Sequence, residues 1–469
     1  MTSGRVMMAE NGQSGSGRDR ESEDEGSIGR AAAANGAGVR MSVSSPTAPP
    51  RIAPGAWVML VALTFVYVLN FLDRQLLGIL AKPIQDSLKI TDGQLGLLSG
   101  LYFAFFYCFI AIPIGFLADR IDRVNILSLA CAIWSAATTA CGLATTYPQL
   151  VIARMTVGFG EAGGVPPSYA LITDTFPPGR RGMAFGIYNL GPPIGAALGI
   201  AFGASIAVWF NWRAAFITIG AIGIVTAVLL KLLMREPVRG ATDAVATDLS
   251  GGRAGFGATL RMFFTHPVLM LASLASGATQ FVTYGLGNFA VLFLQREKGM
   301  TLSEVAVWYA LVALIGMSTG MILSGRVIDR FTQRSRVVYA VAPALSLVVA
   351  LPFFLGFVWA PGWPLALVFL TIANVFNYFY LSSAVALVQG EVRPDQRVLS
   401  GALLLLVMNF IGLGLGPTWV GAVSDWFKSH GYAHALQLAL YTLSPAYLVA
   451  IGLFLLLARR LRTEERMSR

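Results

Sequence analysis

Twelve apolar runs, each long enough to cross a membrane as a helix, dominate this chain. They lie near residues 56–80, 95–118, 124–144, 149–172, 183–209 and 214–234, and then near 268–294, 304–327, 337–359, 365–388, 399–422 and 435–458. A hydrocarbon core of about 30 Å is spanned by about 20 helical residues, and only short polar gaps separate most of the runs. The runs are continuous rather than alternating, which excludes the strands of a transmembrane barrel. Charge agrees with this reading, because 12% of the 469 residues are Asp, Glu, Lys or Arg, about half the share that a soluble chain carries. A single soluble domain, a disulfide scaffold and a disordered chain are excluded together. The expected fold is an all-α polytopic membrane protein with twelve transmembrane helices in two six-helix, pseudo-symmetric bundles.

The polar segments divide the chain. Residues 1–54 are rich in Gly, Ser, Ala and Arg and cannot bury a core, so a disordered tail is expected. Residues 55–234 form the first bundle, 235–266 a linker, 267–460 the second bundle and 461–469 a closing tail. The linker carries an apolar stretch from Phe256 to Phe264, and the sequence leaves open whether it forms a surface helix.

Orientation follows from Lys and Arg placement. With both termini cytoplasmic, 26 of the 34 basic residues fall on the cytoplasmic side and six outside: Lys82, Lys89, Arg213, Arg296, Lys298 and Lys428. The formal net charge of +10 is therefore a topology signal, and nucleic acid is not an expected partner. A multi-pass protein of the plasma membrane is expected, the inner one in a bacterium, working as a monomer. Cys108, Cys131 and Cys141 sit inside apolar runs without metal-ligand spacing. No metal or cofactor is expected. HExxH and Walker patterns are missing, and the sequence gives no support for an enzyme.

The chain also repeats itself. Gly115-Phe-Leu-Ala-Asp119-Arg120 closes the second run and Gly325-Arg-Val-Ile-Asp329-Arg330 the eighth, with Thr91 and Thr301 at the same offset before them. Arg181 follows the fourth run as Arg397 follows the tenth, and Gly191-Pro192 is echoed by Gly416-Pro417. Two matching halves are what a parallel-repeat transporter requires, with its site between them. The G-x-x-x-D-R motif and its echo resemble the signature of the major facilitator superfamily, although Asp122 and Val124 depart from its fuller form. That resemblance implies a gating role for Asp119, Arg120, Arg181, Asp329, Arg330 and Arg397, where the halves separate.

Four charges lie inside the spans: Asp73 and Arg74 in the first, Arg154 and Glu161 in the fourth. A charge at the bilayer centre costs at least about 2.5–3.5 kcal/mol, so these residues mark function. Arg154 and Glu161 are two turns apart on one helical face. Asp73 and Arg154 reach a similar depth, so they can pair across the first and fourth spans, while Arg74 can reach outward to the interface. Asn70 shares the face of Asp73. Gly158 and Gly160 allow a neighbour or a ligand to approach, and Pro166-Pro167 should bend the helix.

Asn70-Phe-Leu-Asp73-Arg74-Gln75 together with Arg154-x3-Gly158-x-Gly160-Glu161-Ala162 resembles the spinster-like branch of the superfamily, whose eukaryotic members are associated with sphingosine-1-phosphate export and lysolipid movement. The resemblance implies secondary active transport of an amphipathic anion, a lysolipid or sphingoid phosphate, across the lipid bilayer. Asp73 and Glu161 are the expected proton-coupling residues. Arg154, Arg74, Glu161, Asn70, Tyr284 and Asn377 are the expected substrate contacts. Protonation of an acid would release Arg154 to hold an anionic headgroup. The alternatives are a multidrug/proton antiporter or a small organic-anion/proton carrier of the same fold, and, in a different class, a receptor without flux.

Overall fold

The computed structural model describes residues 55–118, 120–237, 255–393 and 396–467. The expected tail 1–54, part of the linker and Asp119 lie outside the described residues.

The first bundle begins with α1 (Ala56–Ile79), followed by the short α2 (Ala81–Leu88), α3 (Asp92–Ser99), α4 (Leu101–Ala118) and α5 (Arg123–Leu143). It continues through α6 (Tyr147–Glu161), α7 (Val165–Thr175), α8 (Pro178–Tyr188), α9 (Gly191–Trp209) and α10 (Trp212–Leu233). The linker contributes α11 (Phe256–Thr265). In the second bundle α12 (Pro267–Glu297) precedes a single turn, Leu302–Glu304, and a π-helical segment, Val305–Tyr309, that runs into α13 (Ala310–Thr332). Next come α14 (Val338–Trp359), α15 (Trp363–Asn377), α16 (Phe379–Glu391) and α17 (Arg397–Asn409). A second π-helical segment, Phe410–Leu415, leads into α18 (Gly416–Ser429), and α19 (Ala435–Tyr441) and α20 (Ser444–Met467) complete the bundle.

Among the described residues ten helices or joined helix pairs are long and apolar enough to cross a membrane. Pro267–Glu297 adds an eleventh together with Phe256–Thr265, from which it bends by 73°. The remaining crossing is α6 with α7, interrupted at residues 162–164 next to Pro166 and Pro167. Proline removes a helical hydrogen bond and clashes with the preceding turn, so a break at this point follows from the sequence. The span that carries two of the four buried charges is thus also a broken one.

The repeat is visible in the packing. The third span packs on the sixth as the ninth packs on the twelfth, and the first on the fifth as the seventh on the eleventh. Between the bundles, α3 meets α18 and α9 meets α13, two contacts exchanged by the same symmetry. Thr91 and Thr301, which share an offset in the sequence, both build a capping box, with Gln94 and Glu304 as the reciprocal partners. Gly191 and Gly416 both restart a helix after an interruption.

Two features at the polar ends are decided by the structure. The linker stretch forms a helix, α11, with Phe263 fully buried while Phe256 and Phe264 stay exposed. The last helix continues beyond residue 460 to Met467, with Arg460 and Glu464 paired at 3.3 Å along it.

Candidate functional site

Asp73, Arg154 and Glu161 are each no more than 2% exposed, and the Arg74 side chain is 9% exposed. Arg154 Nη1 lies 3.7 Å from Asp73 Oδ2, as the matching depths suggested. Arg74 does not reach outward. Its Nε donates to Glu161 Oε2 at 2.6 Å, and its guanidinium lies 4.5 Å from the ring centre of Tyr107 and 5.3 Å from that of Phe103. Snorkelling is excluded because an aromatic pocket and a carboxylate together replace the lost water.

The two pairs form one cluster. Asp73 also accepts from Thr138 Oγ1 at 2.9 Å and interacts with Glu161, and the Arg154 guanidinium stacks 4.8 Å from the Phe103 ring centre. Phe103 is therefore shared by both arginines. The 3.7 Å separation of Arg154 from Asp73 is beyond a hydrogen bond, and Arg154 Nε and Nη1 have no hydrogen-bond partner. Asp73 Oδ1, Glu161 Oε1 and Asn70 Oδ1 are likewise buried without one. Buried donors and acceptors are nearly always satisfied, so this concentration of unsatisfied atoms is a feature of the site.

A cavity of about 190 Å³ adjoins the cluster and is lined from both bundles. Arg74 and Arg154 are on its wall with Gln75 and Ser99, and Tyr284, Gln280, Asn288 and Asn374 face them from the other side. Neither Asp73 nor Glu161 lines it. Tyr284 and Arg74 both line the cavity, so the second bundle faces the charge cluster across it. Tyr67, which lines the cavity, stacks on the buried Tyr188 with ring centres 4.5 Å apart.

Several expected positions fall elsewhere. Asn377 does not line the cavity: its Oδ1 accepts from the Tyr447 hydroxyl at 3.0 Å, while its neighbours Asn374 and Tyr378 take the cavity wall. Asn70 is buried behind the wall. Gly158 and Gly160 admit neighbouring helices and not a ligand, since a Cβ there would lie 2.6 Å from Phe103 O and from Trp134 N respectively.

At the end bearing the Asp-Arg motifs, Arg120, Asp329, Arg330 and Arg397 are exposed. Arg181 Nε donates to the carbonyls of Thr173 and Phe176 at 3.1 and 3.0 Å, satisfying the C-terminal turn of α7. The stronger contacts at this end involve residues that the motif reading passed over. Arg123 binds Asp174, and its backbone N–H donates to Glu236 Oε2 at 2.6 Å. Arg336 binds Glu391, and its N–H donates to Glu465 Oε1 at 2.6 Å. Each bundle thus clamps the start of its third helix to the ends of its fourth and sixth. Aligning the acids of the two halves as well as the motifs would have revealed this.

Residues 63–417 match the profile of the Major Facilitator Superfamily. An MFS-type efflux pump of Mycolicibacterium smegmatis is 30% identical over 393 residues, covering 83% of this chain and 90% of that protein. A hexuronate transporter of Bacillus subtilis is 26% identical over 370 residues, covering 76% and 85%. The fold matches, with a TM-score of 0.80, the crystal structure of a bacterial homologue of the human lysosomal transporter Spinster in an inward-facing, unoccupied conformation, at 31% identity over 87% of this chain and 98% of that one. With twelve crossings in two related bundles, a cavity between them and these relatives, the chain is a multi-pass membrane transporter, not an enzyme, and belongs to the spinster-like branch of the major facilitator superfamily.

Proposed function

We propose that the protein couples proton movement to that of an amphipathic anion, of the lysolipid or sphingoid-phosphate kind, by alternating access. One observation carries this reading: both guanidiniums of the buried cluster line the cavity, and both carboxylates stand behind them. Cargo therefore meets positive charge, and protons meet the acids. When Asp73 or Glu161 is protonated, its arginine loses an internal counter-charge and turns to the anion. When the anion leaves, the acid releases its proton and the ion pair re-forms. Uniform pairing in both states would give no coupling, since a ligand shifts an equilibrium only by its differential affinity.

Arg154 is the primary headgroup contact, because two of its nitrogens lack hydrogen-bond partners. Arg74 assists it and relays the charge state to Tyr284. Met317, Met321, Leu370 and Leu381 supply an apolar wall for a chain. The termini are assigned to the cytoplasm, and the working unit to the monomer. The gating positions Asp119, Arg120, Asp329 and Arg330 act where the cytoplasmic ends separate.

The test is uptake of a labelled lysolipid into proteoliposomes with and without an imposed pH gradient. Gradient-driven uptake that disappears in Arg154→Ala supports the reading. Full transport in Arg154→Ala, or in Glu161→Gln with its pH response intact, overturns it. A second reading, a small organic-anion carrier, is favoured by the amide and hydroxyl groups on the cavity wall and by the hexuronate-transporter relative. Competition between lysolipid and sugar acids separates the two, and binding without counterflow would indicate a receptor.

A further inference from the structure

We infer that Asp92 is the latch that closes the end of the bundle opposite the Asp-Arg motifs, an inference that rests on the alternating-access reading above. The sequence places Asp92 in a polar gap of loop character, yet it is 0% exposed. Arg296 Nη1 donates to both of its carboxylate oxygens at 2.9 Å, Ser424 Oγ donates at 2.7 Å and Lys428 Nζ completes the set. All three belong to the second bundle. From its own bundle Gln85 donates at 2.7 Å and in turn accepts from Arg296 at 2.6 Å.

The contact is reciprocal. Asp425, on α18, accepts from the backbone N–H groups of Asp92 and Gly93 at 3.1 and 2.8 Å. One bundle thereby satisfies the free helix N-terminus of the other. The backbones also touch: a Cβ on Gly96 would lie 2.5 Å from Pro417 O, and one on Gly421 would lie 2.3 Å from Asp92 O. Helix capping does not require the acid, because Thr91 and Gln94 already form the capping box and the repeat places Leu302 at the equivalent position beside Thr301. Asp92 is thus explained by the other bundle and not by its own helix.

One carboxylate with two cations holds only while the halves meet. Opening rehydrates every member, so the cluster adds little net stability and acts instead on which end is closed. Removing the acid leaves Arg296 and Lys428 facing each other without a counter-charge, which disfavours closure strongly.

The experiment places spin labels on Lys89 and Tyr432, exposed positions at this end on opposite bundles, in the full chain reconstituted in lipid. The distance distribution of the otherwise wild-type protein should contain a dominant short population. Asp92→Asn should raise the open-to-closed ratio at least about tenfold, a change worth about 1.4 kcal/mol, and adding Lys428→Met should recover part of the short population. Asp425→Ala, which leaves the buried charges intact, should shift the ratio in the same direction and serves if Asp92→Asn does not fold. Unchanged distances in folded variants, absence of a short population before mutation, or no recovery with Lys428→Met would overturn the inference. The label distances need no cargo, so a failed lysolipid assay leaves this test standing.

Discussion

Arg74 donates to Glu161 at 2.6 Å, while its sequence neighbour Asp73 faces Arg154 at 3.7 Å. One pair is hydrogen-bonded and the other is loose, although all four residues come from the same two spans. The looser pair holds the cation with unsatisfied nitrogens on the cavity wall. Under the proposed mechanism the tight pair sets the resting geometry, and Arg154 is the cation that meets the cargo.

Replacing Arg154 by Ala should weaken binding of an anionic lysolipid by about 10- to 150-fold, the range of a lost hydrogen bond to a charged group of about 1.5–3 kcal/mol. Arg154→Lys should recover only part of it, since a point charge lacks the planar fork and its stacking on Phe103. Titration calorimetry on the purified protein reads both.

Glu161→Gln keeps an acceptor for Arg74 but removes the negative charge and any proton exchange. Passive counterflow should persist while uptake stops responding to a pH gradient. The melting temperature should fall while the transition stays cooperative, because Arg74 is left buried without its counter-charge, which costs about 3–5 kcal/mol. A fluorescence melt beside the flux assay distinguishes this from misfolding.

The two bundle clamps should differ in strength. The Arg123 side chain is 11% exposed and that of Arg336 is 47% exposed. Arg123→Ala takes a buried cation from between Asp174 and Glu236 and should cost about 3–5 kcal/mol. Arg336→Ala should cost no more than about 1 kcal/mol, shrinking further in high salt, because the pair is screened by solvent. Melting temperatures at low and high ionic strength test both statements.

Gly96→Val should act on closure through packing alone. Its side chain would need the space of the Pro417 carbonyl, 2.5 Å from the Cβ position, and neither backbone can yield without parting the helices. Cross-linking between cysteines placed at Lys89 and Tyr432 should fall sharply, with the variant still eluting at the volume of the folded wild-type protein.

How much could be read from the chain follows from what a bilayer constrains. Span length, continuous hydropathy and Arg placement are one-dimensional requirements, so the twelve crossings, the repeat and the four costly charges were legible without coordinates. The level at which Asp73 meets Arg154 was also legible, because depth depends only on counting residues along a helix. Rotation about the helix axis and the crossing of one bundle over another are not written in that count. Tertiary packing therefore decided that Arg74 turns inward to Glu161, that Asn377 faces Tyr447 while Asn374 takes the cavity wall, and that Arg123 and Arg336 occupy matching clamps. Asp92 marks the limit most clearly. Its sequence surroundings are those of a polar gap at a helix start, and only contacts with Arg296, Ser424 and Lys428, more than 200 residues away along the chain, make it a fully buried acid.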